Sequence, residues 1–336
     1  MNIIGIESSC DDSCVAVFSK KSGIIFERKL SQLAIHKRFG GVVPELAARA
    51  HMDNFAPLLY ELKKNGCLDE RFRVAVTYGP GLAASLSLGV AFAHTLAAIF
   101  RADVCGVNHL RGHAFSPFMS IYHARIDDFL PHLGLLASGG NTILFEIRSD
   151  LEIYVIAETV DDAAGEAFDK GAKLLGLRYP GGPEIEKLAM EGEPDAFHFP
   201  RAFSNKDEMK FSFSGLKTSL RYMLEKITDD DVFASELPNI CASYEAALVE
   251  PLIDKVEVAL AEKTYNSMGV SGGVSNNLLL RNRLDKLSKA SETMLLLPEP
   301  RHAEDNAAMI AFAAHVDRAH TAIDIETFNS SLKICD

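Results

Sequence analysis

The chain has 336 residues, 48% hydrophobic and 24% charged, with a formal net charge of −12. That length exceeds the usual single core and predicts two domains of ordinary size, with the composition of a folded enzyme rather than a disordered chain. The acidic balance excludes a protein that coats nucleic acid through bulk charge, so a polynucleotide partner would need a local basic patch. The six cysteines, Cys10, Cys14, Cys67, Cys105, Cys241 and Cys335, have no zinc-ribbon or paired spacing. Such scatter suits free thiols in a reducing cytoplasm, although Cys10 and Cys14 offer sulfur ligands on paper. No apolar run reads as long enough to span a membrane, and no basic leader precedes the first apolar residues. A cytoplasmic enzyme with no membrane association is expected.

In chain order, residues 2–18 read as two β-runs around the polar turn Glu7 to Ser13, and a third run follows from Ile24 to Leu30. The turn holds Asp11 and Asp12, which serve either as ordinary turn residues or as carboxylates that handle a proton. Pro44 opens a helix to about Asn65. The strand Val74 to Tyr78 ends in Gly79-Pro80-Gly81 and leads into a small-residue helix, Ala83 to Phe100. A strand, a glycine turn and a helix N-terminus in succession form an anion-binding arrangement, because unpaired N–H groups and the helix dipole point at the turn. The strand Val104 to Val107 then delivers Asn108-His109-Leu110-Arg111-Gly112-His113. On a helix, His109 and His113 share a face and can bind one metal ion; a buried or solvated pair is the alternative, and a third ligand decides.

The pattern then restarts. Leu133 to Ala137, the turn Ser138-Gly139-Gly140-Asn141, Thr142 to Ile147 and Leu151 to Thr159 repeat the three-strand meander. Helices are predicted from Asp161 through Leu175, from Pro183 with Glu186, and around Tyr244 to Lys263. The strand Met268 to Ser271 ends in a glycine turn that reaches Asn277. Each half thus carries a meander, helices and a strand, glycine-turn, helix unit, so the chain reads as an internal duplication. Two such lobes would enclose a nucleotide between two phosphate-contacting turns. Arg201 to Arg221 gathers Arg201, Lys206, Lys210, Lys217 and Arg221 with Phe203, Phe211 and Phe213. It is either a polynucleotide contact or an insertion packed by its phenylalanines. Asp305 precedes the helix Ala307 to Val316, where it is either a cap or the third ligand for the two histidines.

Taken together, GIESSCDDS, HKRFGGVVPELAARAH, YGPGL, NHLRGH, LASGGNT, DDAAGEAFDKGAKLLGLRYPGGP, FSFSGLKT, SGGVSNN and EDNAAMIAFA resemble, in order, the motifs of the TsaD family. These are tRNA N6-adenosine threonylcarbamoyltransferases, a family that once carried the label glycoprotease. The resemblance runs from Ile3 to about Ala314. It implies an α/β fold of the duplicated actin-like ATPase (ASKHA, RNase H-like) type, two-lobed with a central nucleotide and metal cleft. The chain would then divide into an N-terminal lobe, 1–122, a C-terminal lobe, 123–300, and a returning helix, 301–336, that supplies Asp305. The implied activity transfers a threonylcarbamoyl group from threonylcarbamoyl-AMP to N6 of adenosine 37 in tRNAs reading codons that begin with A.

By the same resemblance, His109, His113 and Asp305 are similar to ligands of one divalent metal per subunit, Fe2+ in first place and Zn2+ in second. Leu136, Ala137, Ser138, Gly139 and Gly140 match the substrate loop, and Asp169, Gly182, Glu186 and Asn277 match positions that hold the adenylate. Asp11 matches an acidic residue near the reacting centre and is the expected base. Implied partners are tRNA, a TsaB-type paralogue in a heterodimer, a TsaE-type ATPase and a TsaC-type adenylate-forming enzyme. Departures are Asn108 and Asn141 for histidines, and Ala303-Glu304 where CT or a similar pair precedes DN. Two other readings compete: a catalytically inactive subunit of the same fold, which would lack the ligands, and a metallopeptidase, for which no H-E-x-x-H is present.

Overall fold

The computed structural model describes the whole chain except residues 206, 207, 324 and 326. From the N-terminus run β1 (Asn2–Glu7), β2 (Asp12–Ser19), β3 (Gly23–Ser31), the single turn α1 (Leu33–His36), α2 (Pro44–Lys64), β4 (Phe72–Gly79), α3 (Ala83–Phe100), β5 (Val104–Asn108) and α4 (His109–Phe115). There follow β6 (His132–Ala137), β7 (Thr142–Ile147), β8 (Ile153–Thr159), α5 (Ala164–Leu174), α6 (Gly181–Ala189) and β9 (Lys210–Phe211). Next come α7 (Ser214–Leu224), α8 (Asp230–Glu262), β10 (Ser267–Ser271), α9 (Leu278–Ala290) and β11 (Met294–Leu296). The chain finishes with α10 (Pro300–Ala303), α11 (Ala307–Val316) and β12 (Ala322–Ile323).

Two compact units result, Met1–Asp128 with Leu297–Asp336, and Phe129–Leu296. The cuts fall at 128 and 296, against 122 and 300 in the division read from sequence. Strand order in the first sheet is β12-β5-β4-β1-β2-β3 and in the second β11-β10-β6-β7-β8-β9. In each, a three-strand antiparallel meander is extended by parallel strands on its first member: β4 pairs β1, and β10 pairs β6. The same topology built twice from one chain is the structural form of the duplication.

In the first unit, alternation along β1 sets the two faces of the sheet. Ile4 and Ile6 join Val15, Val17, Val74 and Val76 in a core closed by Leu58 and Leu62 of α2 and Val90 and Leu96 of α3. Gly5 points the other way, where a Cβ would lie 2.1 Å from the carbonyl oxygen of Ala307 and 3.0 Å from Ala311 Cβ. The absent side chain lets α11 lie directly on β1, and every residue from Ala307 to Ala314 is buried. A second close approach, Gly112 on Ile310, seats α4 against α11.

Two expectations need correction. Over 18 residues α3 is long and apolar enough to cross a membrane by length and composition, contrary to the reading that no run is. Its Leu86, Val90, Ala93 and Leu96 are buried on one side. The late helix α8 begins at Asp230, not near Tyr244, and carries Pro238 and Pro251 inside it. Those prolines break the periodic signal, because the sequence alone argues that a helix stops before each one. The Asp229 carboxylate caps its start, accepting from the amides of Asp231 and Val232.

Candidate metal centre

His109 and His113 occupy α4, whose start is set by Asn108: its side chain accepts from the Leu110 amide at 2.9 Å. Both imidazoles leave one face, with ring centroids 4.7 Å apart at 89°. Asp305 meets them from the segment before α11. Its Oδ1 lies 3.0 Å from His113 Nε2 and 3.5 Å from His109 Nε2, and one ligand atom from each of the three lies within 4.8 Å of the other two. The cap of α11 is Asn306, whose side chain accepts from the Met309 amide at 2.8 Å. Asp305 is therefore released from capping and its carboxylate is aimed at the imidazoles.

A residue missed in the sequence completes the arrangement. Glu7, the last residue of β1, is 1% exposed. It accepts from the Ser9 amide and the Thr77 hydroxyl, each at 2.5 Å, and from His109 Nδ1 at 2.9 Å. A carboxylate on one ring nitrogen fixes the tautomer and leaves the other nitrogen bare for a cation. Burial alone would keep His109 neutral, but Glu7 and Asp305 outweigh it and raise its pKa to about 9. Burial likewise opposes ionised Glu7 and Asp305, yet His109 holds both below the usual carboxylate range, with His113 and Lys29 adding to the effect on Asp305. His113 is displaced the other way, because burial outweighs Asp305 and keeps it neutral. Among the described residues its Nδ1 has no partner, so the Nε2 side alone orients the ring.

Two buried imidazole nitrogens and one ionised, partly exposed carboxylate that converge on one point suit a divalent transition metal, and three protein ligands leave positions open. Cys14 is buried and Cys10 partly so; burial pushes both thiols up, which is not the thiolate state a metal needs. Asp11 sits partly exposed in the β1–β2 turn, its carbonyl accepting from the Gln32 amide at 3.2 Å. The turn sends Ser9 to the centre instead, with Oγ 3.2 Å from His109 Nδ1.

The two glycine turns differ. In the first unit a Cβ on Gly79 would fall 1.8 Å from the Asn329 carbonyl oxygen, and one on Gly81 would fall 2.5 Å from that of Ser9. The amides of Gly81 and Leu82 donate to Ser330 and Ser9. This turn is packed by its own chain: its two glycines have no room in front of them, and the amides of Gly81 and Leu82 already have acceptors, unlike the open bend expected of a phosphate-contacting turn. In the second unit Gly139, Gly140 and Gly273 face open space.

Around that second turn, Leu136 and Ala137 are buried in β6, while Ser138, Gly139 and Gly140 form the exposed bend, closed by the Ser138 amide on the Asn141 carbonyl at 2.8 Å. Gly165 of α5 packs on the Ser138 carbonyl, and Gly272, at φ +85°, on that of Ala137. Asp169 accepts from the Gly181 amide at 2.6 Å, and burial raises its pKa. Gly182 has no atom closer to its Cβ position than Phe168 at 4.0 Å. Glu186 accepts from the Leu278 amide at 2.5 Å. Asn277 caps α9 and donates to Glu245 at 2.6 Å. The strand ends β6 and β10 and the starts of α5, α6 and α9 are thus tied into one cluster.

Arg201 to Arg221 proves to be packed by its aromatics. Phe211 and Phe213 are 1% exposed and stack with centroids 6.3 Å apart, so neither can meet a base. Arg201 pairs with Glu250 at 2.8 Å, and Lys206 lies outside the described residues. What stays at the surface is Lys210, Lys217, Arg221 and Tyr222, with the Arg221 guanidinium 5.0 Å from the Tyr222 ring centroid.

Comparison with known proteins assigns the family. The family model described as TsaD, tRNA N6-adenosine threonylcarbamoyltransferase, matches residues 23–312. A protein of that name from Thermosipho africanus is 42% identical over 318 residues, covering 94% of each chain. One from Dichelobacter nodosus is 39% identical over 326 residues, covering 96% of this chain and 93% of that one. Among solved structures, HypF of T. kodakarensis superposes with a TM-score of 0.59 at 14% identity, over 95% of this chain and 48% of that one. Component A of the (R)-2-hydroxyglutaryl-CoA dehydratase of Acidaminococcus fermentans gives 0.52 at 13% identity, over 95% and 99%. At such identities these two speak for the fold alone, which is the duplicated α/β architecture of actin-like ATPases. By the family match and by its near full-length relatives, the chain belongs to the tRNA N6-adenosine threonylcarbamoyltransferase family, TsaD.

Proposed function

We propose that this chain transfers the threonylcarbamoyl group of threonylcarbamoyl-AMP to N6 of adenosine 37 in tRNAs reading codons that begin with A, with the His109, His113 and Asp305 centre holding a divalent metal. One observation carries the metal part of the reading: three ligand atoms from segments nearly two hundred residues apart lie within 4.8 Å of one another. An inactive subunit of the same fold has no need to keep them. When bound, the cation would act as a Lewis acid on the carbonyl of the group in transfer. Iron is the first expectation and zinc the second, and a neutral imidazole, a tautomer-locked imidazole and a carboxylate accept either.

The bonds balance simply. The adenine N6 forms a bond to the threonylcarbamoyl carbonyl carbon, the C–O bond of the mixed anhydride breaks, AMP leaves, and one N6 proton passes to a base. Asp11 is the proposed base, on the strength of its place in the turn that follows Glu7. The bend Ser138, Gly139 and Gly140, with open space in front of its two glycines, is proposed to hold the adenylate together with Asp169, Gly182, Glu186 and Asn277. Leu136 and Ala137 support that bend from inside the sheet. Backbone N–H groups with no side chain in front of them suit a phosphate.

For the tRNA, the exposed face of α7 with Lys217, Arg221 and Tyr222 replaces the buried phenylalanines as the proposed contact. A TsaC-type enzyme supplying the adenylate, a TsaB-type paralogue and a TsaE-type ATPase complete the proposed set of partners. The test is labelling: radiolabelled threonine, bicarbonate and ATP, with those partners, should mark a tRNA bearing adenosine 37. The same tRNA with guanosine there should stay unmarked, and equal labelling of both would refute the substrate assignment.

A further inference from the structure

The segment that carries Asp305 is gripped by one strand edge. Glu27 and Lys29 are two residues apart on β3 and so project from the same face. Opposite them the chain offers charges in matching order. Arg301 pairs with Glu27, and His302 Nε2 lies 2.7 Å from the same carboxylate. One rung on, Lys29 contacts Glu304 Oε2 at 3.4 Å and donates to the backbone carbonyl of Asp305 at 3.3 Å. It also pairs with Asp12, whose side chain is 14% exposed. An ammonium has three protons, and here three acceptors, from the β1–β2 turn and from the Asp305 segment, take them.

We propose that Lys29 is a positioning residue for the metal ligand Asp305, tying the segment Glu304-Asp305 to the turn that carries Asp11 and Asp12. Its meaning for the reaction rests on the metal reading given above. A lone surface ion pair would contribute little, but Lys29 is only one-third exposed and joins Asp12 to Glu304, the latter 275 residues from Lys29 itself. Within the segment, Asn306 donates to the carbonyls of His302 at 3.1 Å and Glu304 at 2.7 Å. Those bonds stay within the segment; from outside it is tied by β3, beside the contact of Asp305 with His113.

The test uses the full chain with Lys29→Met, Lys29→Arg and Glu304→Gln. In metal-free protein, Lys29→Met should speed amide exchange across residues 299–306 by about tenfold or more while the rest of the chain is unchanged. Titrated with Co2+, it should bind about tenfold more weakly, the scale of other supports behind metal ligands, with an altered visible absorption spectrum. Lys29→Arg should restore both within about threefold, and Glu304→Gln should shift both in the same direction by less. Unchanged exchange and an unchanged Co2+ affinity in Lys29→Met would overturn the proposal, and if that variant does not fold, the same null result in Glu304→Gln does so. A wild type whose Co2+ binding is indifferent to His113→Ala would instead remove the metal reading, and the positioning role with it.

Discussion

Glu7 and His109 form a buried carboxylate–imidazole pair, Oε2 to Nδ1 at 2.9 Å, between the end of β1 and the start of α4. It decides which nitrogen of His109 faces Asp305. Glu7→Gln keeps the shape of the side chain but its amide offers a weaker acceptor and no charge. Metal affinity is expected to fall roughly 10- to 100-fold, the usual range for such supports. Isothermal titration with Co2+ reads this directly, and an affinity within twofold of wild type would show that the ring is fixed by other contacts.

The glycine turns make opposite predictions. Gly79→Ala places a methyl group against the Asn329 carbonyl at a φ of +158°, and should cost about 3 kcal/mol or more. Gly139→Ala meets open space, so its stability should stay within about 0.5 kcal/mol of wild type. If the bend at Gly139 holds the adenylate, the second variant should nonetheless lose transfer activity. Chemical denaturation beside a transfer assay separates the two effects.

His132 gives the fold a definite acid sensitivity. Burial at the start of β6 lowers its pKa to about 3, while the unfolded chain titrates near 6.5. Below 6.5 the unfolded state binds a proton that the folded state refuses. Stability therefore falls with pH, by up to about 1.4 kcal/mol per unit from 6.5 down to 3. His132→Asn keeps a donor for Ser267 Oγ, which lies 2.7 Å from Nδ1, and carries no such proton. Between pH 4 and 6 its stability should fall less steeply than that of wild type in urea melts, and parallel curves would count against this origin.

Arg111, in the middle of α4, is 1% exposed and pairs through two nitrogens with Asp317, itself 3% exposed. Asp317→Ala would leave a guanidinium buried beside a missing anion, and should destabilise the protein by about 3–5 kcal/mol. A thermal melt would check it, and a loss under 1 kcal/mol would mean that the remaining contacts of Arg111 suffice.

Much of this was legible from residue chemistry. The meander pattern, repeated after residue 131, announces two sheets of one topology, because strand periodicity and turn residues are local properties. The spacing in NHLRGH offers two imidazoles on one face but leaves their use open, and Asp305 joins them only through the resemblance of the motif around it. Glu7 could not be read in the same way: a carboxylate at the end of NIIGIE looks like a solvated strand terminus. Only the parallel pairing of β1, β4 and β5 brings it to His109. Gly79-Pro80-Gly81 has the local form of an anion site, and what fills it arrives from residue 329 onward. Phe211 and Phe213 carry the composition of a base-stacking surface, but burial is set by partners distant in sequence. Strand and turn patterns are local in origin, then, while the meeting of the ligands, their supports, occupants and exposure come from long-range packing.

The central claim is that one metal held by His109, His113 and Asp305 serves threonylcarbamoyl transfer to tRNA. Its most direct test combines metal analysis with transfer of labelled threonine to tRNA, for wild type and His113→Ala prepared in parallel. Wild type is expected to hold about one divalent ion per chain and to label the tRNA, and His113→Ala to lose both together. Equal labelling by the two proteins would contradict the claim.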